Sequence, residues 1–242
     1  MLVNASGYTT DEVAIVGSTD GVVYMIPYEQ CIRTGSSPCE QIWSKYLGAP
    51  IYAPIRTTSQ GMGSHINLTE GITYAGSSSD YANDKGGKLH ALDTATGTIL
   101  WEREARDRDN NSYSLRNAPA IDNTRKALIN AYGPVLELLD LENGTVLATL
   151  DSSFTTAEDE FFSSPVVSLD ADRIYIHSKQ GYLWAINMTV GRHPELQVVY
   201  RCRYPVQPDG IAVPNCTWPG HWKSESPAQV ESSVLPLESE SE

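Results

Sequence analysis

"GGKLHALDTATGTILWE", residues 86–102, is the stretch that decides the fold. It reads as a strand, a polar turn and a second strand that reaches Trp101. Its frame is A-x-D-x-x-x-G-x-x-x-W, running from Ala91 through Asp93 and Gly97 to Trp101. An Asp in such a turn caps its own backbone, and a Gly supplies the positive φ that reverses the chain. Alternation on either side, as in "L-x-A-x-D", sends one face of the hairpin into a core.

The frame recurs along the chain. "LLDLENGTVLA" places Asp140 and Gly144 four apart, with Ala148 where the tryptophan would stand. "AINMTVG" sets Ala185, Asn187 and Gly191 in the same frame. Ahead of each hairpin comes a further strand and a Gly turn: "VAIVGSTDGVVYMI", "ITYAGSSSDYANDKGGKLHAL", "ALINAYGPVLELL" and "RIYIHSKQGYLWAI". The glycines before the hairpins, Gly21, Gly87, Gly133 and Gly181, lie 66, 46 and 48 residues apart. Insertions between Cys31 and Cys39 and at "DYANDKG" lengthen the first interval. A period in the forties with several short strands per unit is the signature of β-propeller blades. No helical period competes. Trp43 and Trp101, ending their strands, are expected to fill the gaps between neighbouring blades. The expected fold is all-β, with about four recognisable four-stranded blades arranged radially over residues 1–204. Residues 205–222 form a Pro-rich extension with room for one more strand. Residues 223–242, poor in apolar side chains, are expected to be a disordered acidic tail.

Composition excludes some functions. The formal net charge of −13 lacks the basic footprint that nucleic acid or an anionic membrane surface requires. Five Glu against one Lys from Lys223 onward account for part of it. The longest apolar runs are strand-sized, so no membrane insertion is expected. The N-terminal stretch has no basic n-region and no continuous apolar h-region, so it does not read as a signal peptide.

Two features nonetheless point to the secretory pathway. Asn4, Asn67, Asn110, Asn143, Asn187 and Asn215 each open an N-x-[ST] glycosylation triplet. Asn143 and Asn187 are expected at exposed hairpin ends. The four cysteines bracket two Gly/Pro-rich loops, which suits Cys31–Cys39 and Cys202–Cys216 disulfides among three possible connectivities. With no leader in view, the expectation is a truncated chain or a misplaced start.

"YAGSSSDYANDKGGKLHALDTATGTILWE" and "SSPVVSLDADRIYIHSKQGYLWAI" resemble the pyrroloquinoline-quinone-like β-propeller repeat family, over roughly residues 10–200. The resemblance implies a quinoprotein-type propeller, usually closed by seven or eight blades. Four visible blades then imply an incomplete ring, a fragment of a longer one, or completion by partner chains. Family members include quinone-dependent dehydrogenases, outer-membrane assembly scaffolds and sensor luminal domains. A dehydrogenase would hold pyrroloquinoline quinone and calcium at the axis, with a carboxylate base beside them.

The residues favour the non-catalytic alternative. Two loops are rich in calcium-type oxygen ligands: Asp80, Asn83 and Asp84, then Asp107, Asp109, Asn110 and Asn111. Neither has the twelve-residue loop ending in Glu, so solvated polar turns are the simpler expectation. Glu158, Asp159 and Glu160 in "TTAEDEFF" read as a surface loop between blades. The vicinal cysteines that accompany the quinone in the family's dehydrogenases are missing. His65, His90, His177, His193 and His221 are scattered, and no nucleophile elbow, zinc-protease or phosphate-loop motif occurs. Hence no catalytic residue and no cofactor is expected. The chain reads as a secreted or luminal scaffold that binds a protein or glycan partner through its loops. The alternative is a piece of a quinone-dependent alcohol or sugar dehydrogenase, which on its own would lack oxidoreductase activity.

Overall fold

The computed structural model describes residues 2–4, 12–27, 31, 40–58, 71–80, 82–83, 85–151, 159–168 and 172–203. Sixteen strands fall among them, four to a sheet. Blade 1 holds β1 (Leu2–Asn4), β2 (Glu12–Gly17), β3 (Val22–Pro27) and β4 (Trp43–Tyr46). Blade 2 holds β5 (Arg56–Thr57), β6 (Ile72–Asp80), β7 (Lys85–Asp93) and β8 (Ile99–Glu104). Blade 3 holds β9 (Ala120–Asp122), β10 (Ala127–Tyr132), β11 (Val135–Asp140) and β12 (Val146–Asp151). Blade 4 holds β13 (Val166–Val167), β14 (Arg173–His177), β15 (Tyr182–Thr189) and β16 (Glu195–Arg203). Each sheet is an antiparallel meander in chain order.

The turn chemistry works as its residues dictate. Asp93 Oδ1 accepts from Thr96 N at 2.8 Å, and Gly97 N donates to Asp93 O at 2.8 Å. Asp140 repeats this with Asn143 N and Gly144 N, both at 3.0 Å. A bulge falls at the same place in three blades, at Ala91/Leu92, Leu138/Leu139 and Ala185/Ile186. Such a bulge sharpens the twist of the outer hairpin.

Cross-strand register sorts the side chains into faces. The forward row is Ile15–Met25–Trp43 in blade 1 and Arg56–Tyr74–Ala91–Trp101 in blade 2. It is Ala120–Ile129–Leu138–Ala148 in blade 3 and Val166–Tyr175–Ala185–Tyr200 in blade 4. Ile15, Met25 and Trp43 pack with Ala75 and Leu92 of blade 2. Tyr74, Ala91 and Trp101 pack with Leu128, Leu139 and Val146 of blade 3. Ile129 and Leu138 pack with Ile174, Trp184 and Ile186 of blade 4. The fourth forward row meets no further blade among the described residues. The blades therefore form an open array of three seams.

Tryptophan and glycine lock the first two seams. A Cβ on Gly97 would lie 2.7 Å from the Trp43 ring, and one on Gly144 would lie 2.7 Å from the Trp101 ring. Each indole thus lies on the bare turn of the following blade. Trp43 Nε1 also donates to Thr94 O at 3.0 Å. The third seam is filled differently. Ala148 stands in the tryptophan position, and Trp184 from blade 4 is buried in this seam toward the loop end, edge-on to Phe161 at 5.7 Å.

Two local expectations need correction. Asn187 is not in a turn: β15 runs on to Thr189, and Asn187 pairs with Arg173 on one side and Gln197 on the other. Gly87 is not in a turn either but inside β7. It is glycine because the following loop passes close, its N–H donating to Tyr113 O at 2.8 Å.

Candidate functional site

One end of the array carries the β2–β3, β6–β7, β10–β11 and β14–β15 hairpins together with the connections between blades. Hydrogen bonds to their backbone hold those connections down. Ser78 N donates to Pro50 O at 2.9 Å, Leu115 N to Ser78 Oγ at 2.9 Å, and Phe161 N to Gly133 O at 2.7 Å. The Tyr132 hydroxyl donates to Arg106 O at 3.0 Å. Loops pinned in this way present their side chains on a rigid platform.

The two acidic loops lie at this end, and their described carboxylates hydrogen-bond within their own turns. Asp80 accepts from Asn83 N at 3.2 Å and from Asn83 Nδ2 at 3.1 and 3.0 Å. Asp107 accepts from Asp109 N, Asn111 N, Asn111 Nδ2 and the Tyr113 hydroxyl, all within 2.9 Å. Burial pushes the Asp107 carboxyl up, but the Asn111, Tyr113 and Asp109 hydrogen bonds outweigh it and hold it below the usual range. These carboxylates are spent on capping their own turns. Asp109 is exposed at the loop tip, and Asp84 lies outside the described residues. Among the described residues no three His, Cys, Asp or Glu side chains converge on a metal position.

"TTAEDEFF" is also corrected. Asp159 is buried, its Oδ1 accepting from Gln180 N at 3.2 Å, so it anchors the β14–β15 hairpin. Glu160 is ion-paired with Lys179, and Glu158 lies outside the described residues. Of the glycosylation candidates, Asn110 and Asn143 are exposed in loops and Asn187 is half-buried. Asn4 ends β1, while Asn67 and Asn215 lie outside the described residues. Cys31 is disulfide-bonded. Cys39, Cys216 and the side chain of Cys202 lie outside the described set, so the pairing itself stays an expectation.

A polar chain that the sequence did not announce crosses blade 2. His90 Nδ1 lies 2.9 Å from Glu102 Oε1, and His90 Nε2 lies 2.9 Å from Ser77 Oγ. A carboxylate only accepts, so Nδ1 carries the proton and Nε2 of the neutral ring accepts from Ser77. This is the polarity of a nucleophile relay. Yet Ser77 is 2% exposed, and Ile51 forms a β-bridge with it. No substrate carbonyl reaches Oγ, so the trio acts as a polar pin within the sheet. Burial pushes the His90 imidazole below its ordinary value, against the upward pull of Glu102. The unfolded chain therefore takes up this proton at a higher pH than the folded one. Stability present above about pH 6.5 is lost as pH falls toward the folded value. Burial lowers His177 as well, in the same direction. Urea midpoints between pH 5 and 7.5 should fall less steeply for His90→Gln than for the unaltered protein. Parallel curves would show that His90 is not held neutral.

An exposed aromatic side chain of the loop end, Phe162, stands at the blade 3–blade 4 seam. A narrow cleft there is lined by Arg116, Asn117, Gly133, Glu160, Phe162 and Lys179. Phe162 is 60% exposed although its backbone N–H is fixed on His177 O at 2.8 Å. Sequence reading missed this patch, because neither Phe162 nor Arg116 belongs to a motif.

Comparison with known proteins places the fold. A search of curated proteins finds no match. The structure is similar to BamB from Moraxella catarrhalis, with a TM-score of 0.52 and 18% identity over 84% of this chain and 48% of that one. It is similar to Saccharomyces cerevisiae Sqt1, with a TM-score of 0.55 and 13% identity over 84% and 47% of the two chains. A chain of the mitotic checkpoint complex gives a TM-score of 0.55 and 11% identity, over 83% of this chain and 52% of that one. This chain thus spans about half the length of the structures it matches. The family described as outer membrane protein assembly factor BamB matches residues 7–211, and on that match the chain belongs to this family of β-propeller repeats.

Proposed function

We propose that the protein is a non-catalytic scaffold of the secretory pathway or extracellular space, which binds a protein partner through its loop end. The observation that carries this reading is Phe162, held rigidly and largely in solvent beside Arg116 and Lys179. Aromatic and Arg side chains on a fixed platform are the residue types that dominate binding energy at protein interfaces. The family's description as an assembly factor, and the neighbour from a multiprotein checkpoint complex, support a protein ligand. The six glycosylation triplets and the disulfide at Cys31 support an oxidising, glycosylating compartment. The test is affinity capture from a secretory-pathway extract, comparing the unaltered protein with Phe162→Ala and Arg116→Ala. A specific partner should be bound about 30-fold more weakly by Phe162→Ala, which corresponds to the loss of a ~2 kcal/mol anchor. Its capture should survive enzymatic removal of glycans. Binding unaffected by either substitution would move the site elsewhere, and capture abolished by deglycosylation would make the ligand a glycan.

A further inference from the structure

We propose that the forward face of blade 4 docks the rear face of blade 1 from a second copy of this chain, so that two chains close head to tail into one ring. Tyr175 occupies the register position that Tyr74 occupies in blade 2, each facing an alanine, Ala185 and Ala91. Tyr74 is fully buried, and its hydroxyl donates across the seam to Leu141 O at 2.7 Å. Tyr175 is half-buried, and its hydroxyl has no partner among the described residues. Val166, next to it in the row, is 54% exposed. The face that in blade 2 receives a blade is therefore built again in blade 4, and among the described residues no blade covers it.

The occupant follows from the three seams already formed. In each, a forward row packs on the rear face of another blade. Among the described blades the one uncovered rear face is that of blade 1, where Ala14 pairs with Ile26 and Val16 with Tyr24. In blade 2 the corresponding pairs, Thr73 with Leu92 and Ala75 with His90, are fully buried against blade 1. Val16 is instead 43% exposed. Each face carries apolar side chains, Val166, Tyr175 and Ala185 on one and Ala14, Val16 and Ile26 on the other, and the two lie at opposite ends of the array. Contact between two copies is then heterologous, and it closes after two copies with two identical junctions.

The experiment is light-scattering mass measurement on the full chain at micromolar concentration. The expected mass is twice the 26.5 kDa of one chain. Val16→Glu removes only the blade 1 face, and Tyr175→Glu only the blade 4 face, so each variant alone should run as a monomer. Their equimolar mixture should recover a dimer through the one junction left intact. Phe162→Glu, on the loop end, should stay dimeric, and circular dichroism should show unchanged β-sheet in all three. A monomeric unaltered protein, a mass above the dimer, a dimer indifferent to either substitution, or a mixture that stays monomeric would each overturn the proposal.

Discussion

Removing Arg103 is expected to destabilise the fold by about 3 kcal/mol, the lower end of the range for breaking a buried ion pair by deleting one partner. Glu137, on β11, is only 2% exposed, and its carboxylate faces Arg103 of β8 across the blade 2–blade 3 seam. Arg103 Nε donates to Glu137 Oε2 at 2.9 Å, and Nη2 donates to Oε1, a forked geometry suited to a carboxylate. The Glu137 hydrogen bond also holds the guanidinium more firmly charged than usual, despite partial burial. Arg103 is about a third exposed, so water already solvates part of it. The asymmetry decides which deletion matters. Arg103→Ala leaves a carboxylate buried without its cation, whereas Glu137→Ala leaves a cation that can turn to solvent. Denaturant midpoints should therefore fall further for Arg103→Ala than for Glu137→Ala. The pair Arg103→Met with Glu137→Leu should regain most of the loss, because neither desolvated charge remains. A loss below about 1 kcal/mol for Arg103→Ala, as at a surface pair, would mean that water reaches Glu137 and the seam is not closed.

Trp101→Ala is expected to be as damaging, at about 3–5 kcal/mol, the range for deleting a large aromatic from a core. The indole is the spacer of the second seam. It meets Tyr74 at a ring distance of 5.9 Å and lies on the Gly144 turn of blade 3. Alanine leaves a cavity bounded by two sheets whose backbones are fixed by their own ladders, so collapse recovers little. Trp101→Phe should be far milder. The buried Nε1 of Trp101 has no hydrogen-bond partner, so phenylalanine forfeits packing area but no polar contact. Trp43 makes the contrast: its Nε1 donates to Thr94 O, and Trp43→Phe should lose more than Trp101→Phe. Thermal unfolding of the three variants ranks these effects. Equal losses for Trp101→Phe and Trp101→Ala would refute the spacer role.

The architecture was legible in the sequence because its signals are local. Asp93 caps an amide three residues on, and Gly97 must adopt a φ of 70° four residues on, so the whole turn lies within one short window. Strand alternation is local for the same reason, whereas the expectation that Trp43 and Trp101 end their strands fails: Trp43 opens β4 and Trp101 lies within β8. Local patterns also misled. Asn187 sits in the frame of Asp93, but β15 continues two residues past it, because pairing with β16 persists to Thr189 and Glu195. Asp107 looks the same in sequence whether it ligates a metal or caps a turn; only the positions of Asn111 and Tyr113 make it a cap. What tertiary structure alone decided involves residues far apart in sequence. His90 meets Ser77 and Glu102 through the register of three strands, and Arg103 meets Glu137 across a seam. Trp184 meets Phe161 in the third seam, from a different blade. The exposed forward row of blade 4 is likewise a fact of assembly, because Tyr175 differs from Tyr74 not in its own strand but in what lies beyond it. Turn chemistry acts within a few residues and can be read from them, whereas burial and pairing depend on which sheets stack, and that is set only when the chain has folded.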